Sequence, residues 1–464
     1  MTRDALLPAL LCVSTLSCFP SLAAATELLV PQDYPTIQEA VDASQNGDVV
    51  LVAPGTYSGP GNRDLDPGTK NIAILGAEGP DQTVIDCESA GRALWVHGGQ
   101  SLAFQFSGFA VRNGVAGTGA GFLVESGAQA SISKCVFENC TATAYSVCVG
   151  SGELSQTRIS NSGGPRALEW RVGSIMDCEI LDNSGIGLLT DHPTPGELLV
   201  QGTVISGNGE GLVLNSEEVD SVVENCVISN NGGGNNLALA CDSARQIIIR
   251  NSTIAGGGRM EVFLGNVEFD RCILSEMGCD GLWNYGNDIV FNCCLFTPSD
   301  INSGGFVVEN GSTDEDPGYC DPSACFPSTH RSDYGLNDRS PCLAANSPCG
   351  EQIGAFGLEC DISGIDEVVH SGIQGIVFTS SLPAHDTLRF RLPFASEGDD
   401  TVELSVVTLS GRRVASRVVT PTAGSAEFEW RPEAQGVELE SGIYLLHAVA
   451  RSGASASAKF VWLR

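Results

Sequence analysis

Positive charge is scarce in this chain: 24 Lys and Arg face 56 Asp and Glu over 464 residues, a formal net charge of −32. Such an acidic balance argues against nucleic acid or anionic lipid as a partner. It also repels an anionic polysaccharide unless a divalent cation bridges the two. Aromatic residues make up only 6% and charged residues only 17%, which disfavours a helical bundle laced with ion pairs. With 4 Met and 6 His, the soft-ligand clusters of a copper-delivery protein are missing. Beyond the first 25 residues, no stretch is long and apolar enough to span a bilayer. What is plentiful is Gly, at 55, in keeping with many tight turns.

The first 25 residues read as a secretory signal. Arg3 begins it, "ALLPALLCVSTL" forms its apolar core, and "SLAAA" offers small residues for cleavage near Ala25. A lipoprotein signal ending at Cys18 is the rival, with Thr15 a poor start for its motif. The expected product is exported, either secreted or held at the outer cell surface.

A period then organises the chain. Apolar anchors, most of them after Cys-x or Thr-x, stand at Ile85, Val111, Phe137, Ile159, Ile180, Ile205, Ile228, Ile254, Leu274 and Phe296, in steps of 20 to 26 residues. Asn stands two or three residues after most of them, at Asn113, Asn139, Asn161, Asn183, Asn208 and Asn231. Asn tolerates left-handed backbone and can bond to its copy in the next repeat, so an Asn column marks a turn. A second apolar column runs through Phe122, Tyr145, Leu168, Leu188, Leu212, Leu237, Val262 and Leu282. A third apolar stretch leads into each anchor, as in "GELLVQG" and "QIIIRN". Three short strands per repeat without a helical period describe coils of parallel β-structure that bury their apolar faces only by stacking.

Over roughly residues 27–360 the chain resembles right-handed parallel β-helix proteins of the pectin-lyase-like superfamily. Its opening, "VPQDYPTIQEAVDASQNGDVVLVAPGTYSG", is similar to that of many such proteins, including pectinesterases. Within it, "PTIQEAVDAS" is expected to form a short helix with Ile37, Ala40 and Val41 inward, plugging the solenoid end. The fold class expected is all-β: a parallel β-helix over 26–305 and a Cys-rich cap over 306–360. A linker over 361–378 then leads to a small β-sandwich over 379–464.

Cysteine falls into two groups. Cys135, Cys178, Cys226, Cys272 and Cys294 stand two residues before anchors, where Thr157, Thr203 and Ser252 occupy the intervening repeats. Alternate coils lie about 10 Å apart, too far for a bridge, so the first three read as buried, reduced thiols. Only Cys272 and Cys294 are close enough to pair. Cys320, Cys325, Cys342, Cys349 and Cys360 sit in a loop-rich stretch, where Cys320–Cys325 and Cys342–Cys349 are the local disulfide candidates.

Past Cys360 the pattern changes to alternating strands and Gly turns. "LSGRRVASR", "SGIYLLHA" and the terminal "KFVWLR" resemble the C-terminal sorting domain of type IX secretion, although "SSLPAHDTLRFRLPF" stands where an Asn-Pro-Phe-Asn-Pro start is customary. The resemblance implies secretion or surface-attachment machinery as a partner. Nine Lys and Arg nearly balance ten Asp and Glu over 379–464, so the acidity belongs to the solenoid.

Catalytic signatures are missing. Neither the Asp–Phe–Ile–Phe–Gly stretch of pectinesterases nor the polygalacturonase motifs occur, and "VHGG" at 96–99 is not equivalent. Arg112 beside Glu138, and Arg158 beside Glu179, read as solvated ion pairs on neighbouring strands rather than as a base with its acid. No cofactor is required; the acidic runs "RDLDPG" (63–68) and "STDEDPG" (312–318) carry the oxygen ligands Ca²⁺ takes. Strand alternation sends Trp283 and Tyr285 outward from inward Leu282, with Phe263 beside Trp283. Phe263, Trp283 and Tyr285 are therefore the candidate carbohydrate-binding residues, unless a loop or the cap covers them. Trp170 is expected in the core. The functional expectation is a β-helix that binds, or processes, extracellular polysaccharide; a non-enzymatic adhesive scaffold is the alternative.

Overall fold

The computed structural model divides into two compact units, 1–360 and 361–464. Within the first it describes residues 25–191, 197–216, 220–232, 234–242, 245–275, 282–285, 288–296, 301–303, 307–320 and 334–360. Within the second it describes 377–378, 387–394, 402–408, 413–419, 424–431, 442–450 and 455–462. The signal-like segment and Cys325 lie outside these residues.

The first unit is a parallel β-helix of about 13 turns. Each full coil contributes three strands: lead-in, anchor and trailing. The anchors stack in register, Ile85 on Val111, Phe137, Ile159, Ile180, Ile205, Ile228, Ile254 and Leu274. Together with Phe106, Ile132, Leu154, Ile175 and Val200 from the lead-in face, they form one continuous buried core. Helix α1 (Ile37–Ala43) begins at Thr36, whose hydroxyl accepts the Glu39 N–H, and it buries Ile37, Ala40 and Val41. Its residues take a helix because Thr36 caps it and the apolar positions recur at helical spacing. Trp170 is fully buried. It fits there because Gly150 lies opposite in the preceding coil, where a Cβ would sit 2.3 Å from the indole.

Two positions of the second column differ from expectation. Tyr145 is 59% exposed and the inward residue of its coil is Cys148, which pairs with Phe122 and Leu168. A buried thiol fills the space of a small hydrophobe, so an aromatic three residues earlier drew the assignment away. One coil pairing is also shifted by two: Leu282 lies beside Met260, and Val262 beside Asn284. A two-residue slip keeps each side chain on its face but changes its neighbour.

The Asn residues form two columns, not one. Asn113, Asn139 and Asn161 adopt left-handed backbone, in line with Asp182 and Asn230. Asn183, Asn208 and Asn231 stand one position later and point inward as a buried ladder. Asn183 Nδ2 donates to Asn208 Oδ1 at 2.9 Å, and Asn208 Nδ2 to Asn231 Oδ1 at 3.0 Å. The Cys column is a ladder as well. The N–H groups of Cys135, Cys178 and Cys226 donate to Thr157, Thr203 and Ser252 of the following coil. Each of these hydroxyls in turn donates to the carbonyl two residues before it. Thiol and hydroxyl are thus interchangeable at this position.

Cys272 and Cys294 are both free, and each thiol donates to the carbonyl two residues before it. In-register parallel neighbours keep their Cβ atoms about one strand spacing, ~4.8 Å, apart, beyond the ~3.8 Å a disulfide prefers. Cys342 is likewise a free, buried thiol, because its candidate partner Cys349 is bonded to Cys293. Cys320 is disulfide-bonded too.

That Cys293–Cys349 bond ties residues 334–360 to the solenoid's side. The outward residues of the anchor strands are charged in early coils, with Arg112 paired to Glu138 and Arg158 to Glu179 as ion pairs. In later coils the outward residue before the anchor is Val204, Val227, Thr253, Ile273 and Leu295 in turn. Tyr334, Phe356, Leu336 and Ile353 cover these. Arg271 pairs with Glu351, the Gly354 N–H donates to the Arg271 carbonyl, and the Ala355 N–H to Thr253 Oγ1. Replacing Cys349 with Ser removes a closure worth ~3 kcal/mol. Limited proteolysis is expected to cut within 334–360 several-fold faster while the solenoid core stays resistant; unchanged cleavage would show that packing alone holds the segment.

The second unit carries an antiparallel sheet of three strands and another of four. Leu388, Phe390 and Trp430 of one share a buried cluster with Val402, Leu446 and Trp462 of the other. Among the described residues, no helix is long and apolar enough to cross a membrane.

Candidate functional site

Coil length builds a groove. Between the trailing and lead-in faces, most coils carry a connecting segment, such as residues 97–104 and 125–129. Two consecutive coils carry none: the strands Ser146–Ser155 and Arg166–Met176 run through from one face to the other. Their bends sit at Gly152 and Gly173, with φ of 114° and 108°. A Cβ at Gly173 would lie 2.0 Å from the Gly152 carbonyl, and one at Gly152 would lie 2.4 Å from that of Ala130. Only glycine allows the stacked backbones to turn this closely. The missing connections leave a notch flanked by longer coils.

This notch is a groove of about 820 Å³, within the usual range of ligand sites. Its floor is Ser174, Leu199 and Val222, which follow one another in register across successive lead-in strands. Glu153 precedes them in the same column. Leu198 pairs with Ser221, so Glu197 and Asp220, each one residue earlier, stand side by side along one wall. The other wall is Glu224, which accepts from Gln201 Nε2 and pairs with Arg250. Asp220 and Glu224 are four residues apart on one strand, so about 13 Å of floor separates the walls. Glu153 and Glu197 have no hydrogen bond or ion pair among the described residues, whereas Asp220 accepts the Gln246 N–H. Chemically, the arrangement offers an apolar strip between an acidic wall and a Glu224–Arg250 pair, suited to an extended ligand with polar edges.

None of these groove residues stood out in the sequence. A signal for them exists in the anchor steps: 137 to 159 and 159 to 180 are 22 and 21 residues, against 26 in the two repeats before them. These two shortened repeats are the coils without connections.

The aromatic candidates do assemble, with altered neighbours. Phe263, Trp283 and Tyr285 are 42%, 37% and 54% exposed. Phe263 stacks on Tyr285, centroids 5.3 Å apart and planes 4° from parallel, and Trp283 lies 6.4 Å from Tyr285. The two-residue register shift explains why Phe263 meets Tyr285 rather than Trp283. Beneath them Glu261 is 5% exposed. It accepts from Tyr285 Oη at 3.2 Å and Asn235 Nδ2 at 2.9 Å, and pairs with Arg259. Desolvation, then the bond to Glu261, raises the Tyr285 phenol above its ordinary pKa.

A second exposed aromatic escaped notice. Trp95 stacks on His97 at 4.1 Å and donates its indole N–H to Glu125 at 2.9 Å. His97 Nε2 lies 2.9 Å from Asp66. Asp66 and Asp316, from the two acidic runs, also accept the Gly68 and Gly318 N–H groups. Among the described residues, no three His, Cys, Asp or Glu side chains gather as a metal site.

Residues 92–254 match a family model described as "Right handed beta helix region"; the solenoid is a right-handed parallel β-helix. None of the curated proteins matches the chain. Among solved structures it is similar to pectate lyase Pel9A, with 13% identity and a TM-score of 0.40, covering 69% of this chain and 90% of that one. The A-module of mannuronan C-5 epimerase AlgE6 from Azotobacter vinelandii shows 15% identity and a TM-score of 0.33, covering 61% and 94%. A tailspike protein, gp49, of Acinetobacter baumannii bacteriophage Fri1, a capsular polysaccharide depolymerase, shows 10% identity and a TM-score of 0.25, covering 95% and 78%. At these identities the likeness is one of fold.

Proposed function

We propose that this chain is an exported β-helix that binds extracellular polysaccharide in the corner groove. One observation carries the reading: a groove open across successive coils, with an apolar strip of Leu199 and Val222 between an acidic wall and the Glu224–Arg250 pair. Sugar rings present apolar faces and polar edges, and a polymer repeats along its length as the coils do. The exposed Phe263–Trp283–Tyr285 platform supports the same reading as a further stacking contact. The second unit, read as a small β-sandwich, would serve secretion or attachment at the cell surface, consistent with its sorting-domain-like sequence.

The test is depletion of full-length protein from solution by a panel of neutral, anionic and amine-bearing polysaccharides, with chain ends assayed for cleavage. Binding is expected, and Leu199→Arg, which fills the floor, should weaken it at least tenfold. Trp283→Ala should weaken it less if the platform is a secondary contact. No binding across the panel would leave the adhesive scaffold as the better account.

A further inference from the structure

Charge narrows what the groove accepts. Its lining holds four carboxylates, Glu153, Glu197, Asp220 and Glu224, against two guanidiniums, Arg245 and Arg250. Arg250 is taken up by Glu224. Glu197 and Asp220 stand one strand apart and project the same way, an arrangement of like charges that is unfavourable when unrelieved. A concave site with an excess of one sign of charge concentrates its potential and favours ligands of the opposite sign. The surrounding chain adds to that field, with a net charge of −32.

We infer that the groove takes a glycan bearing free primary amines, a hexosamine polymer whose ammonium groups are received by Glu197, Asp220 and Glu153. This rests on reading the groove as a polysaccharide site, and it sets the class of sugar. Pyranose faces would lie on Leu199 and Val222 while the ammonium groups reach the acidic wall. Charge-assisted hydrogen bonds of this kind are roughly twice as strong as neutral ones. A neutral sugar would bring no positive charge to Glu197, and a polyuronate would add more negative charge.

The experiment compares two probes with one backbone, a glucosamine hexasaccharide and its fully N-acetylated counterpart. Both are titrated into the full-length protein by calorimetry at about pH 5.5, where carboxylates are ionised. A polyuronate oligomer is titrated in parallel with and without Ca²⁺. The free-amine form is expected to bind at least tenfold tighter than the acetylated form, with affinity falling as salt rises. Glu197→Gln with Asp220→Asn should remove that preference, so that the free-amine and acetylated forms bind alike. Equal binding of the two forms, or preferred binding of the polyuronate with Ca²⁺, would overturn the inference and keep the polysaccharide reading. Failure of all three probes, together with the wider panel, would overturn the reading itself.

Discussion

Raising the pH above about 9 is expected to unfold the solenoid steeply. Burial pushes the thiols of Cys87, Cys135, Cys178 and Cys342 up to about 12, and that of Cys140 to about 11. All five are buried. An unfolded chain releases these protons near pH 8.5. Because the folded values are raised, the stability these thiols contribute is fully present below pH 8.5. It is lost as pH rises from there towards about 12, since the unfolded state then binds fewer protons than the native one. One such thiol withdraws about 1.4 kcal/mol per pH unit once its unfolded form ionises. Five acting together withdraw on the order of 7 kcal/mol per unit, which overtakes a typical total stability of about 5–15 kcal/mol within two units. The check is a series of urea midpoints from pH 7 to pH 10.5. The ladder supplies its own control: Thr157 and Thr203 already stand where Cys135 and Cys178 stand in neighbouring coils. Cys135→Thr with Cys178→Thr should therefore fold at pH 7 and lose stability less steeply above pH 9. An identical slope in that variant would place the alkaline sensitivity elsewhere.

The same residues show what a sequence can and cannot disclose about this architecture. Period, anchors and α1 were legible because each rests on local spacing: apolar residues repeat where strands repeat, and Thr36 begins a helix wherever it caps one. The inward thiols were legible for the same reason, lying two residues before each anchor. What escaped depends on relations between coils. Asn113 and Asn183 stand two and three residues past their anchors, and that one step decides that the first turns the backbone while the second bonds to the next coil. Cys349 found Cys293 rather than Cys342 because its segment folds back onto the outer side of the anchor strands, a contact that local spacing does not contain. Its trace was nevertheless present in the outward residue before each anchor, which changes from Arg158 and Glu179 to Val204, Val227, Thr253 and Ile273. A solenoid exposes that side to water, so an apolar run there marks what covers it. The groove belongs to the same class. It is made by connections that two coils lack, and motif searching weighs residues that are present.

The Asn ladder is where a single substitution should cost most. Asn208 sits at its centre, buried. Its Oδ1 accepts both the backbone N–H and the side-chain amide of Asn183, while its Nδ2 donates to Asn231 Oδ1 and to the carbonyls of Ile180 and Ser206. Truncation to Ala orphans the Asn183 backbone N–H, leaves its amide only the Ile159 carbonyl, strips the Ile180 and Ser206 carbonyls of the Asn208 amide, and leaves the space of an amide empty. A buried polar group left unpaired costs about 1–3 kcal/mol, so Asn208→Ala should lose roughly 4–6 kcal/mol. Leu offers nearly the same volume without the amide and should rescue little of it, because the penalty lies in the orphaned groups and not in the cavity. Asp keeps an acceptor for Asn183 but loses the donor and buries a charge, so its loss should grow as pH rises above the carboxylate range. Stability in a solenoid is a sum over coils and their interfaces. Hydrogen exchange should therefore show protection falling first around 180–231, with the coils near α1 the last to open. Uniform loss along the whole chain would mean that the ladder acts as one cooperative unit rather than as a series of neighbouring bonds.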